Sequence, residues 1–326
     1  MSARAPASTG RTVDVIIPTW NGLPWLRATV DSVLNQTHQD LILYIIDDGS
    51  TDDTAAYAKS LKDPRVHYRY KANGGQATAR NLGITMSKSP YVALIDADDL
   101  WRKDKLEKQL AILEKHPKYG MVYGFHKLIN EKDEVIGEVV YNRSGELFRY
   151  LLGGNRISGS GSMVLVRRSV FEDVGVFHED FLIGEDWEMW LRIAQKYQIY
   201  CIPEFLADLR VLQEGMQQNY FKMARGLVYM LPIMLNEFKP DRRGRARLKG
   251  VIYFEAALNY YVGGDVEKSR YYFHKLLSSN PARIERNVDY RHVYLRLLLG
   301  GKWHFTVRQK LNQALIMSGL RKRQDD

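Results

Sequence analysis

The sequence predicts an α/β protein, in which a mixed and mainly parallel sheet with helices on both faces precedes an all-helical C-terminal region. Short apolar segments alternate with segments of helical periodicity from residue 13 to residue 95. Polar clusters follow three of the apolar segments, and after about residue 220 the pattern is helical. At 326 residues, the chain also exceeds what one hydrophobic core usually serves.

The first half of the chain reads as a series of strand and helix pairs. Strands are predicted at residues 13–18, 41–46, 66–70 and 91–95, with helices between them at 24–36, 53–61 and 77–87. This alternation is typical of parallel sheets, whose ligands bind beyond the carboxyl ends of the strands. The polar residues that follow the strands are therefore candidates for a single binding site.

The elements after residue 100 are less regular. The predictions are a helix at 104–115, a hairpin of strands at 121–129 and 134–141, a short helix at 147–152, a Gly- and Ser-rich loop at 153–162 and a strand at 163–166. Residues 250–283 fit one tetratricopeptide-like helix pair with a turn at 263–265. Because one such repeat is not stable alone, it should pack on flanking helices at 221–238 and 289–300.

The stretch 91–101 combines a buried strand with a cluster of carboxylates, Asp96, Asp98 and Asp99. Desolvating clustered carboxylates is costly unless a cation or hydrogen-bond donors compensate. The structural alternative is an acidic turn in which Asp99 or Asp104 caps the next helix. Polar clusters at the ends of two other predicted strands favour a binding site.

Composition restricts the class of protein. A hydrophobic content of 45% with 26% charged residues is typical of soluble globular proteins, and no stretch approaches the roughly 18 apolar residues of a membrane span. We therefore expect a cytoplasmic protein with a disordered leader at residues 1–12. The single cysteine, Cys201, excludes an internal disulfide, and the absence of G-x-G-x-x-G after the first strand argues against a dinucleotide fold.

The formal net charge of +9 is concentrated late in the chain, at residues 241–249 and 321–323. Such runs are most often solvated helix faces. Attraction to anionic lipid headgroups or to a phosphate-bearing acceptor is the alternative. No nucleic-acid partner is expected, since no binding motif accompanies the charge.

Five segments together resemble family 2 glycosyltransferases. They are VIIPTWN at 15–21, DDGSTD at 47–52, ARN at 79–81, DADD at 96–99 with Trp101, and EDW at 185–187. The resemblance implies a GT-A fold, a nucleotide-diphospho-sugar donor and inversion at the anomeric carbon. It predicts a GT-A domain at 13–218 and a helical region at 219–326.

The resemblance also implies a nucleotide-sugar site. Its residues in this sequence are Pro18, Thr19, Asn21, Asp47, Asp48, Arg80, Asp96 and Ala97. Thr19 and Asn21 would line the base and ribose pocket, with Pro18 setting the backbone. Asp48 would accept a hydrogen bond from uracil N3–H, with support from Asp47. Arg80 would contact the diphosphate or hold the aspartates in place, and we favour the second role.

By the same resemblance, Asp98 would ligate Mg²⁺ or Mn²⁺, and Asp96 would bind ribose or a metal-bound water. Hard carboxylate oxygens suit these cations. Many relatives have a later Tyr-Arg-x-His segment, and here Leu212 stands at the histidine position. Leucine cannot ligate a metal, so the site would have fewer protein ligands or would recruit Gln213.

Inverting transfer needs a base that deprotonates the acceptor hydroxyl. The resemblance makes Asp186 this base, with Glu185 orienting the acceptor and Trp187 lining its pocket. The structural alternative for the two acidic residues is the first turn of a helix, where the helix dipole favours anions.

We therefore expect a metal-dependent hexosyltransferase that acts in surface polysaccharide synthesis. We expect the donor to be a UDP-sugar and the acceptor to be a glycan or a lipid-linked molecule. Peripheral contact with the inner face of the plasma membrane, and a protein partner for the helical region, are left open. The alternatives are a catalytically weak scaffold protein on the same fold, or a sugar-phosphate nucleotidyltransferase.

Overall fold

The structure is a computed structural model that describes residues 10–157, 159–212 and 219–279. The chain divides into two units. The first, here called the sheet unit, consists of Met1–Leu147, Ile157–Asp180 and Arg192–Val211. The second, the helical unit, consists of Phe148–Arg156, Phe181–Leu191 and Leu212–Asp326. The helical unit thus includes two segments that lie within the range predicted for the GT-A domain.

The sheet unit contains a mixed sheet. Its strands in the described residues are β1 (Val13–Thr19), β2 (Leu41–Asp47), β3 (Val66–Tyr70), β4 (Tyr91–Leu94), β5 (Leu100–Trp101), β6 (Tyr119–Ile129), β7 (Val135–Val139), β8 (Leu165–Arg167) and β9 (Gln198–Arg210). They lie in the order β3-β2-β1-β4-β8-β6-β9-β5, and β7 pairs with β6. Strands β1 to β4 are mutually parallel, and each lies within one residue of its predicted bounds.

The described residues contain ten helices. They are α1 (Leu23–Leu34), α2 (Thr54–Ser60), α3 (Gln76–Met86), α4 (Lys105–Lys115), α5 (Phe148–Leu151), α6 (Arg168–Val174), α7 (Glu185–Lys196), α8 (Tyr220–Phe238), α9 (Arg242–Gly263) and α10 (Val266–Ser279). Helix α3 packs closely on β1, because a Cβ added at Gly83 would lie 2.5 Å from Cγ2 of Ile16. The first turn of α3 comes soon after the end of β3, and it therefore lies at the carboxyl ends of the strands.

Three strands of the sheet differ most from the sequence-based expectation. The predicted strand at 163–166 begins later, at Leu165, because residues Ser160–Met163 form a 3-10 turn instead. Strand β9 was not predicted; its pairing with β6 shifts register around Phe125, and Pro203 interrupts its pattern. Strand β5 has only two residues, which is too short for any periodicity to reveal.

The helical unit is built on the antiparallel pair α9 and α10. The turn between them has Gly264 at φ 94°, in the left-handed region that favours glycine. Ser269 donates a hydrogen bond from Oγ to the carbonyl oxygen of Ala257 at 2.7 Å, and Phe273 packs beside that position. Helix α9 begins at Arg242 rather than at residue 250, since Asp241 accepts a capping hydrogen bond from Gly244 N at 2.7 Å.

The fold class is confirmed as a mixed α/β sheet with an all-helical C-terminal region. The predicted helix at 289–300 and most of the predicted leader lie outside the described residues. Arg11, near the end of that leader, pairs with Glu114 at 2.7 Å. Within the described part of the chain, every helix is too short or too polar to cross a bilayer.

Candidate active site

The candidate site lies where the parallel strands of the sheet unit end. Thr19, the last residue of β1, is paired in register with Asp47, the last residue of β2. Strand β4 lies on the other side of β1 and ends at Leu94, two residues before Asp96. The parallel arrangement therefore brings all three predicted polar clusters to one edge of the sheet.

Asp96 is held by helix α3. Its Oδ1 accepts hydrogen bonds from Nη2 of Arg80 at 2.8 Å and from Nε2 of Gln76 at 2.7 Å. The Arg80 side chain is only 1% exposed, so the guanidinium compensates the carboxylate at the edge of the core. This contact is the geometry expected if Arg80 holds the aspartates in place, and that role stays a prediction.

Residues 96–99 form a turn that we call the acidic turn, and Asp99 is its buried anchor. The alternative that Asp99 caps the next helix is wrong. Its carboxylate accepts hydrogen bonds from Oγ of Ser162 and from the backbone N–H of Arg210, the latter at 2.9 Å. The N-cap position of α4 is Asp104, whose side chain makes no capping hydrogen bond. Asp104 pairs instead with Lys108 at the surface.

Ser162, in the 3-10 turn, joins the two ends of the acidic turn. Its fully buried Oγ accepts a hydrogen bond from the backbone N–H of Asp96 at 3.0 Å while donating to Asp99. Its carbonyl oxygen accepts one from Nε1 of Trp101 at 2.7 Å. On the opposite side, Nε of Arg210 donates to the carbonyl oxygen of Asp98 at 3.1 Å. The backbone of the turn is therefore fixed by side chains distant in the sequence.

The carboxylates of this turn carry more negative charge than their protein neighbours compensate. Burial, together with the smaller contribution of the Asp96 charge, raises the pKa of Asp98 to about 6. Burial also raises the pKa of Asp99 well above its ordinary value, with additional contributions from Asp98 and Asp96. A cluster of hard oxygen atoms with excess negative charge fits a divalent cation such as Mg²⁺ or Mn²⁺.

The aspartates after β2 organise two loops. Asp47 accepts hydrogen bonds from the backbone N–H of Ser50 at 2.8 Å and from the hydroxyl of Tyr68 at 2.7 Å. Asp48 accepts from Nζ of Lys71 at 2.5 Å, and from two backbone N–H groups in the glycine-rich turn before α3. A carboxylate offers roughly four acceptor positions, so about one stays available on Asp48 for a base edge.

The residues after β1 are tied to the loop after β2. Asn21 has φ 50° and accepts a hydrogen bond on Oδ1 from the backbone N–H of Thr51 at 2.8 Å. Thr19 is buried, and among the described residues its Oγ1 has no hydrogen-bond partner. Pro18 lies beside Ile46 within the sheet, and Ala97 accepts a hydrogen bond on its carbonyl oxygen from Oγ1 of Thr29.

The remaining predicted residues belong to the helical unit. Glu185 begins α7, and Asp186 follows in its first turn. Asp186 accepts hydrogen bonds from Nδ2 of Asn155 at 2.8 Å and from the backbone N–H of Trp187 at 2.7 Å. Trp187 is buried and donates from Nε1 to the carbonyl oxygen of Leu151. The first-turn placement is as expected, and the catalytic roles stay predictions.

Sequence reasoning missed several residues of the acidic turn's surroundings. Ser162 falls in the predicted Gly- and Ser-rich loop at 153–162, whereas in the structure it is a buried anchor. Gln76 and Arg210 were not assigned any contact with the aspartates. Arg210 is the arginine of the segment compared with Tyr-Arg-x-His, but no local pattern marks any of these residues as a partner of the aspartates, because the partners are distant along the chain. Leu212 is half-buried, and Gln213 lies outside the described residues.

The part of the chain that forms this site matches a known protein family. Residues 14–175, which carry β1 to β4, the acidic turn and Ser162, match the family described as Glycosyl transferase family 2. The chain belongs to this family. The matched region includes all of the predicted nucleotide-sugar residues, and it ends before Asp186.

Relatives of this family 2 chain carry glycosyltransferase names. An uncharacterized glycosyltransferase of Rickettsia felis is 35% identical over 231 residues, which cover 69% of this chain but only 37% of that protein. The putative teichuronic acid biosynthesis glycosyltransferase TuaG of Bacillus subtilis is 29% identical, covering 65% of this chain and 84% of TuaG. The Escherichia coli protein WfgD, named a UDP-Glc:alpha-D-GlcNAc-diphosphoundecaprenol beta-1,3-glucosyltransferase, is 27% identical over 64% of this chain and 81% of its own length.

Solved structures agree on the fold. Residues 1–349 of S. aureus TarS, in complex with UDP-GlcNAc, superpose with a TM-score of 0.67 at 13% identity, covering 90% of this chain and 93% of that one. The mannosyltransferase PcManGT of Pyrobaculum calidifontis, in complex with GDP-Man and Mn²⁺, superposes with a TM-score of 0.56 at 19% identity. The match covers 94% of this chain and 86% of PcManGT. At these identities the likeness shows the GT-A fold alone.

Proposed function

We propose that this family 2 transferase moves a hexose from a UDP-sugar to a hydroxyl of a glycan or lipid-linked acceptor in surface polysaccharide synthesis. The observation that carries the proposal is the acidic turn at Asp96 to Asp99, which adjoins the Asp48 and Asn21 loops at one sheet edge. The names of TuaG and WfgD support a role in polysaccharide synthesis, and the substrates in the name of WfgD support both the donor class and the lipid-linked acceptor.

We further propose that Asp98 and Asp96 hold a divalent cation. A bound Mg²⁺ or Mn²⁺ would offset the negative charge that develops on the departing diphosphate. Arg80 and Gln76 keep the Asp96 carboxylate in one orientation, and Ser162 and Arg210 keep the turn backbone in place. The Mn²⁺ in the PcManGT structure supports a cation, without deciding which one. With leucine at position 212, we expect the turn itself to supply most protein ligands.

Asp186 is the proposed general base. The acceptor oxygen would attack the anomeric carbon as the bond from that carbon to the diphosphate oxygen breaks, which inverts the centre. Asp186 would take the proton of the acceptor hydroxyl. The hydrogen bond from Asn155 occupies one of its oxygens and fixes the plane of its carboxylate. Glu185 would orient the acceptor, and Trp187 would line its pocket.

The test is release of UDP from a panel of UDP-sugars, with GDP-mannose as a comparison, in the presence of Mn²⁺ or of EDTA. We expect slow UDP-sugar hydrolysis that requires the metal, accelerated by a lipid-linked saccharide. Absence of hydrolysis together with absence of a UDP-induced thermal shift would favour a scaffold protein. Turnover of a nucleoside triphosphate with a sugar phosphate would favour a nucleotidyltransferase.

The buried Ser162 gives a separate prediction about the cation. Replacing it with alanine removes the hydrogen bonds at Oγ to Asp96 N and Asp99, and a lost hydrogen bond to a buried charged group costs roughly 1–3 kcal/mol of unfolding free energy. Residues that position metal ligands typically affect metal affinity by about 10- to 100-fold. We therefore expect the Mn²⁺ concentration at half-maximal thermal shift, measured with UDP present, to rise by about that factor.

Ser89 provides the matched control for this prediction. It is also buried in the sheet unit, and its Oγ donates to the carboxylate of Asp14 at 2.8 Å, at the start of β1. Ser89→Ala should lose a similar unfolding free energy and keep the Mn²⁺ midpoint of the unchanged protein. Equal midpoints for the two variants would show that Ser162 only stabilises the fold.

A further inference from the structure

The first half of helix α9 carries cations on one face. Arg242, Arg245 and Lys249 recur at spacings of three and four residues, which places them on the same side of a helix. Together with Ser278 and Ser279 of α10, they line a cavity of about 590 Å³ within the helical unit. The cavity is open to solvent, and its lining is dominated by positive charge.

The described residues leave the positive charge of this cavity uncompensated. Asp241 is the acidic residue in the lining, and its carboxylate is engaged elsewhere. One oxygen accepts the capping hydrogen bond from Gly244 N, and the other pairs with Arg149 at 3.3 Å. In the part of the chain that the structure describes, neither Arg242, Arg245 nor Lys249 forms an ion pair.

Next to the charged face of α9 lie two tyrosines and a further lysine, one tyrosine on α9 and the other two residues on α10. Tyr253 lies four residues after Lys249, on the same face of α9. Nζ of Lys275 lies 5.8 Å from the ring centroid of Tyr253 and 4.9 Å from that of Tyr271, which is 52% exposed. We call the set of Arg242, Arg245, Lys249, Tyr253, Tyr271 and Lys275 the cationic strip.

The size and chemistry of the cationic strip indicate its ligand. The rise of an α-helix places the backbones of Arg242 and Lys249 about 10 Å apart along α9, so the cationic strip presents positive charge over a length greater than that of one phosphate group. Lysine, arginine and tyrosine are the side chains that favour the headgroup level of a bilayer, where the ring is half buried and its hydroxyl stays hydrated. We propose that the cationic strip binds anionic phospholipid headgroups at a membrane surface.

The test is binding of the full chain to vesicles of phosphatidylcholine with and without phosphatidylglycerol, measured by flotation. We expect binding only to the vesicles that contain phosphatidylglycerol, and weaker binding as the salt concentration increases. The triple change Arg242→Gln, Arg245→Gln and Lys249→Gln should lower the partition coefficient on the order of a hundredfold. This variant should keep its hydrolysis of soluble UDP-sugar, since none of the three residues belongs to the proposed catalytic site.

A second triple variant controls for net charge. Lys88→Gln, Lys115→Gln and Lys132→Gln remove the same number of charges from exposed positions of the sheet unit. Retained vesicle binding in this variant supports the cationic strip, and an equal loss in both triple variants overturns it. The proposal is also overturned if the unchanged protein does not bind phosphatidylglycerol vesicles. In that case inorganic phosphate could still raise the Tm of the unchanged protein and leave the Tm of the first triple variant unchanged. That result would identify a site for free phosphate.

Discussion

Replacing Asp186 with asparagine is expected to lower acceptor-dependent sugar transfer by about 10²- to 10⁴-fold, the usual contribution of a general base. The amide cannot take the acceptor proton, and its one oxygen can keep the hydrogen bond from Nδ2 of Asn155 or the one from Trp187 N–H, but not both. The fold should still persist, with a loss in unfolding free energy of about 1–2.5 kcal/mol from the lost hydrogen bond and the lost charge in the first helical turn. Transfer to a lipid-linked saccharide measures the first effect, and thermal or chemical unfolding the second.

The control for Asp186→Asn is Asp180→Asn, which removes one exposed carboxylate charge shortly before helix α7. It should transfer sugar at the rate of the unchanged protein. The contrast distinguishes a base from a helix-terminal anion, since the latter affects stability alone. If Asp186→Asn keeps a substantial fraction of transfer, the carboxylate is only a structural feature of α7, and the base must be sought elsewhere.

The placement of the site was predictable because it depends on local patterns. Strands β1 to β4 are short apolar segments with well-marked ends, and their parallel order follows from the alternation with helices. Once the strands are parallel, the polar residues after each strand must lie at one edge of the sheet. The grouping of Thr19, Asp47 and Asp96 therefore follows from sequence and topology together.

The contacts that fix the acidic turn were not predictable, because they join residues far apart in the sequence. Ser162 is 63 positions from Asp99, and Arg210 is 111 positions from it. Arg210 approaches because β9 pairs with the two-residue strand β5 directly after the turn. Capping by Asp99 was an alternative for the same reason, since a local pattern offers a helix start but no information about β9. The sequence identifies which carboxylates cluster, and the tertiary structure decides which one is an anchor.

Asp98→Asn is expected to separate activity from stability. Loss of a carboxylate metal ligand should lower metal-dependent UDP-sugar hydrolysis by about 10³-fold, since an electrophilic cation contributes several kcal/mol. In the metal-free protein the same change should raise the free energy of unfolding. Burial and the charge of Asp96 raise the pKa of Asp98 to about 6, so its ionised form disfavours the folded state at neutral pH. A neutral amide of the same shape relieves that repulsion, by on the order of 1–3 kcal/mol.

Asp104→Asn is the comparison for Asp98→Asn, because Asp104 is a partly exposed carboxylate six residues later that forms an ion pair with Lys108. It should keep its hydrolysis and lose at most about 1 kcal/mol. Unfolding in EDTA and hydrolysis in Mn²⁺ would be measured on both variants. Removing the charge of a structural aspartate makes the protein less stable. Removing the charge of an aspartate that serves as a metal ligand makes the metal-free protein more stable and lowers its rate of hydrolysis. A less stable Asp98→Asn protein that still hydrolyses UDP-sugar would therefore exclude Asp98 as the metal ligand.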